Sequence, residues 1–119
     1  MGMTTPSSEF LNVRFERHQI LNEHHDLDLT DDKGRAIGTR LVVERVECIE
    51  DPESSWLGRE DQVRKGVWYN VTTQSTRNGA AFGACNSGSN VDTLDEAYKL
   101  KARKLRDTLK RYTRLYGPG

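Results

Sequence analysis

Long apolar runs are missing from this chain: its longest stretches of consecutive apolar residues are only a few residues long. That excludes a transmembrane helix, which needs about 20, and no membrane partner is expected. The first nine residues are polar, without the basic and then apolar stretch of a secretory signal, so a cytoplasmic protein is expected. Cysteine is scarce. Cys48 and Cys85 stand far apart in no CxxC or Cys/His cluster, and they read as reduced thiols buried on strands. Asn70-Val71-Thr72 has the form of a glycosylation sequon, a chance match in such a compartment. Walker and GxGxxG loops are absent, as is any Ser–His–Asp order. His18, His24 and His25 lie near Asp26 and Asp28, but neighbouring strand residues point to opposite faces. A metal chelate from one face is therefore not expected, no cofactor is implied, and the sequence offers no catalytic constellation.

What is present is charge, and it is unevenly placed. The 119 residues are neutral overall. Residues 1–62 carry 7 Lys/Arg against 14 Asp/Glu, whereas residues 63–119 carry 11 against 4. Such a division points either to an anionic partner for the basic half or to an acidic half lying beside it.

The length fits one domain. Residues 1–8 read as a disordered Ser/Thr/Pro-rich tail, and residues 9–119 as a single α+β domain. Leu11, Val13 and Phe15 alternate with polar residues as a half-buried strand does. A hairpin is expected over about His25–Ile49, turned by Asp31-Asp32-Lys33-Gly34. Residues 50–65 show no clear period, and Trp56 and Leu57 are the large apolar residues that would either pin this connection or meet a partner. Strand character resumes at Gly66, and Asn78-Gly79 is a tight hairpin signal. A return strand is expected over Ala80–Cys85, then a flexible loop over Asn86–Asn90.

The strongest local signal is a helix from about Thr93 to Tyr116. Thr93 and Glu96 make a capping box, Asp92, Asp95 and Glu96 suit the positive end of the helix dipole, and Gly117-Pro118 ends it. Leu94, Tyr98, Ala102, Leu105, Leu109, Tyr112 and Tyr116 recur at three- and four-residue steps as an apolar stripe. Opposite the stripe gather Lys99, Arg103, Arg106, Lys110 and Arg114, with Lys104 and Arg111 on the flank. This face is either a solvated surface or a phosphate-contacting one. The expected architecture is α+β, a mostly antiparallel sheet of four to five strands with the C-terminal amphipathic helix packed on one face.

The segments Trp68-Tyr69, Phe82-Gly83 and Thr93-Leu94-Asp95-Glu96-Ala97-Tyr98 together resemble the strand–strand–helix of integrase arm-type DNA-binding domains. The sheet-then-helix outline is also similar to Pur-type single-strand binders. The functional expectation is a small non-enzymatic module binding DNA or RNA through Arg77, Lys99, Arg103, Arg106, Lys110 and Arg114. The alternative is a small protein-interaction or oligomeric accessory protein, of the kind phages and mobile elements encode. Its partner would be an acidic protein, or its own acidic half in a homo-oligomer.

Overall fold

The computed structural model describes residues 10–60, 63–83 and 87–118; the expected tail 1–8 and Cys85 lie outside them. Six strands and one helix follow in order: β1 (Phe10–Thr30), β2 (Ala36–Glu50), β3 (Leu57–Arg59), β4 (Gly66–Arg77), β5 (Ala80–Ala81), β6 (Ser87–Val91) and α1 (Leu94–Tyr116). They form one antiparallel sheet in the order β3-β1-β2-β4-β5, with β6 also paired to β4. The chain is thus α+β, with the C-terminal helix packed against the sheet.

Both hairpins turn where the sequence says. Asp31 Oδ1 accepts the backbone N–H groups of Lys33 and Arg35, and Gly34 takes a positive φ of 76°. Asn78 and Gly79, at φ 52° and 82°, form the mirror-image turn that matches the twist of flanking strands. β1 is longer than the alternation suggested. It runs unbroken for 21 residues, roughly 70 Å of strand at ~3.3 Å per residue, with register shifts at Gln19/Leu21 and Asp26/Leu29.

The first of those shifts reorganises the core. Strand alternation puts Val13 and Phe15 on the same face as Val46, Cys48 and Trp68, and four of these (Val13, Val46, Cys48, Trp68) form one buried cluster. Beyond the irregularity at Ile20, Leu21 faces the other way and joins Val43 and Val71 under the helix. β2 and β4 make the same change without a bulge, by moving their apolar positions from Val43 to Val46 and from Val71 to Trp68. The sheet is therefore dry on opposite faces at its two ends. Trp68 and Tyr69 go to opposite faces as expected, and each enters a different cluster.

Two local expectations change. The return strand is only Ala80–Ala81, and Ser87–Asn90, within the expected loop Asn86–Asn90, belong to the strand Ser87–Val91. Its sequence SGSNV has little strand propensity; register against residues 69–73 of β4 makes it one. The residues around Trp56 are held by hydrogen bonds rather than by burial: Val13 N–H donates to Trp56 O, and Asn12 Nδ2 donates to Ser54 O at 2.7 Å.

On the face away from the helix, the His24 ring crosses over β2 to Thr76 on β4, Nε2 to Oγ1 2.8 Å. Gly38 is the window that allows it. A Cβ there would lie 2.6 Å from Thr76 Oγ1, 2.7 Å from His24 Nε2 and 2.9 Å from His25 O. Gly38→Ala should therefore destabilise by about 1–3 kcal/mol, read as a lower urea midpoint with unchanged m. His25, on the other face, bonds Glu23, so the two adjacent histidines serve opposite sides.

Candidate nucleic-acid interface

α1 begins where capping chemistry demands. Thr93 Oγ1 accepts the N–H of Glu96 at 3.1 Å, while the Glu96 carboxylate accepts from Asp92 N–H at 3.4 Å. Gly117 N–H closes the far end on Thr113 O.

The helix is rolled from the expected stripe by roughly 80° on a wheel of 100° per residue. Ala97, Leu100, Thr108 and Tyr112 are buried, whereas Tyr98 (40%) and Leu109 (42%) stay exposed and Ala102 faces out. Three contacts set this roll. Small Ala97 packs against Val43 and Val71, Lys101 Nζ reaches Glu23 on β1 at 3.0 and 3.2 Å, and Tyr112 bonds Ser75 on β4. Hydrogen bonds from His25 and then Lys101 hold the Glu23 carboxyl below its ordinary range. Lys104 is half-buried at the same seam, and burial lowers its pKa, with Arg103 adding to the effect.

The roll carries the basic residues to the pole opposite the sheet. Lys99, Arg103, Arg106, Lys110 and Arg114 are all exposed. Lys99 pairs with Asp95 at 3.0 Å in a solvent-screened pair. Arg103, Arg106, Lys110 and Arg114 make no ion pair with any described residue. From Lys99 to Arg114 the row runs about 22 Å along the axis. Its N-terminal half opens into a groove of ≈ 420 Å³ against β6, lined by Val91, Glu96, Lys99, Leu100, Arg103 and Arg106.

Arg77 does not belong to this surface, contrary to expectation. It is 8% exposed. Because β5 is only two residues long, Phe82 folds back over the guanidinium at 4.4 Å, and Tyr112 approaches it at 5.4 Å. Arg77 Nε donates to Asp31 Oδ2 at 3.2 Å, and Nη1 donates to Thr76 O. Burial raises the Asp31 carboxyl, but hydrogen bonds from Arg35 and the Lys33 N–H outweigh it and hold the pKa down to about 2. Burial likewise raises the Tyr112 phenol, and Ser75 and Arg77 more than offset this, leaving it below its ordinary value. The cluster is a clasp between helix, sheet and turn.

Sequence reading missed a second concave surface at the opposite end of the sheet. Phe10, Phe15, Trp56, Leu57, Val63 and Trp68 line a cleft of ≈ 510 Å³ together with Gly58, Arg59 and Arg64. Its residues come from four separate parts of the chain, so no local pattern announces it. Among the described residues no group of three or more His, Cys, Asp or Glu could hold a metal ion, and no helix is long and apolar enough to cross a membrane. No protein-family model, no curated protein and no solved structure matches this chain.

Proposed function

We propose that this protein is a non-enzymatic nucleic-acid-binding module whose contact surface is the outward face of α1, with Lys99, Arg103, Arg106, Lys110 and Arg114 meeting phosphates. The observation that carries this reading is the row of four cations on one pole of the helix that pair with no described residue. A solubilising face interleaves both signs; here Asp107 is the one acid on the outer surface from Lys99 to Arg114. Docking of the basic half on the acidic half of a second copy has less support. Lys65–Glu50, Arg77–Asp31 and Lys101–Glu23 already join the two halves within one chain.

Titration of labelled single- and double-stranded 15-mers between 50 and 200 mM salt tests the proposal. Four or five phosphate contacts predict a single-strand affinity falling with a log–log slope of about −3. Absence of binding at 50 mM salt, or affinity indifferent to salt, would sink it.

A further inference from the structure

Trp56 stands on the surface yet is packed on several sides. Half of it is exposed, yet three contacts fix it. Its ring meets Phe15 edge-to-face, centroids 5.2 Å apart at 76°. Its backbone carbonyl accepts from Val13 N–H. Its six-membered ring also occupies the space a side chain at residue 58 would need: a Cβ on Gly58 would fall 2.7 Å from Trp56 Cζ3 and 2.3 Å from Val63 Cγ2. Phe10 (59%), Leu57 (56%) and Phe15 (38%) surround it, all exposed. A rigid aromatic surface of this kind is pre-organised for a flat apolar ligand, since little conformational freedom is lost when one stacks on it.

The floor and lining narrow the class of ligand. Trp68 closes the floor, 6.2 Å from Phe15, and its ring face is taken by the Arg64 guanidinium at 5.0 Å. Arg59 and Arg64 also line the cleft. Arg64 also bonds Asp92, which lies between Val91 of the basic groove and the helix cap Thr93. Arg64 of the cleft is thus tied to Asp92 beside the groove, and because the two surfaces lie on opposite faces of the sheet a ligand would pass from one to the other around this pair. A ligand following both would be flat and apolar where it meets Trp56 and anionic where it meets α1.

Resting on the nucleic-acid reading above, we infer that the cleft is a stacking site for an unpaired base, so that single strands, whose bases are free to leave the stack, are the substrate class. Stacking on one aromatic is sequence-tolerant because every base has a π-face, which fits a cleft whose described lining is four aromatic rings, aliphatic residues and two arginines.

The experiment compares wild type, Trp56→Ala and Trp56→Phe on a dT 15-mer, a U 15-mer, a 15-bp duplex and an abasic 15-mer with the same phosphates. Trp56→Ala should weaken binding of the dT or U strand roughly 5- to 150-fold. It should leave the abasic strand, the duplex and the salt slope unchanged, and Trp56→Phe should restore most of the loss. The relative response to dT and U identifies DNA or RNA as the source of the base. Unaltered dT and U binding by Trp56→Ala, or wild type binding the abasic strand as tightly as both, overturns the inference and leaves the helix reading standing. If Trp56→Ala instead converts a dimer to a monomer with strand binding intact, the cleft seats a second copy and the inference is wrong. Failure of wild type to bind any strand removes both readings.

Discussion

Arg77→Ala is expected to lower the unfolding free energy by about 2–4 kcal/mol, a drop of roughly 10 °C or more in Tm for a chain of this size. Several losses combine. The guanidinium sits between the Phe82 and Tyr112 rings, and truncation leaves a cavity there as well as removing the cation–π attraction. It also removes charge-assisted bonds to Asp31 Oδ2 and Thr76 O. Arg77→Met separates the parts: it refills the space without the charge and should recover more than half of the loss. Recovery of nothing by methionine would mean that the ion pair, not packing, carries the clasp. The acid limb should survive either change, because Arg35 and the Lys33 N–H, not Arg77, lead the depression of Asp31. Its folded pKa near 2 lies below the ordinary carboxylate value. This contribution is therefore complete above about pH 4 and is lost as pH falls from there through 2.

Reversing charge at Arg103 and Arg106 together is the largest functional effect expected. Both are exposed and lie in the groove against β6. Arg103→Glu/Arg106→Glu deletes two phosphate contacts and adds two repulsions, so affinity for any strand should fall on the order of 100-fold or more at 50 mM salt. The slope against salt should shrink by about 1.4 or more for the lost contacts. Stability should hold within about 0.5 kcal/mol, since neither side chain is buried or ion-paired with a described residue. Unchanged affinity in a folded double variant would remove the helix from the interface altogether.

The helix, both hairpin turns and the α+β order were legible because each has short-range chemistry: Thr93 with Glu96, Asp31 with Gly34, Asn78 with Gly79. Features decided by distant partners were not. Ser87–Val91 becomes a strand because β4 offers it a ladder. Tyr98 and Leu109 lose their place in the core because Ala97 and Lys101 find contacts on the adjoining side of the helix, while Leu94, Leu105, Tyr112 and Tyr116 of the expected stripe still pack. Arg77 reads as a hairpin tip locally, and only Asp31, Phe82 and Tyr112, from three other parts of the fold, bury it. The basic row stays exposed because the roll turns it further from the sheet. The aromatic cleft was invisible because Phe15, Trp56 and Trp68 come together only once β1, β3 and β4 are assembled.

The change of dry face halfway along the sheet has a thermodynamic consequence. The helix-side clusters (Val43, Val71, Ala97, Leu100; Leu27, Ile37, Tyr112) and the far cluster (Val13, Val46, Cys48, Trp68) share no side chain. Separate packing of this kind predicts two opening units on one spine, each cover lifting while the other keeps its end of β1, β2 and β4 dry, which amide hydrogen exchange would resolve as two groups of protection. On the proposed nucleic-acid reading, a strand bridging α1 and the cleft would tie those openings together. Ordering one end then lessens the entropy still to be lost at the other, so coupling between the two ends needs no movement of the sheet between them.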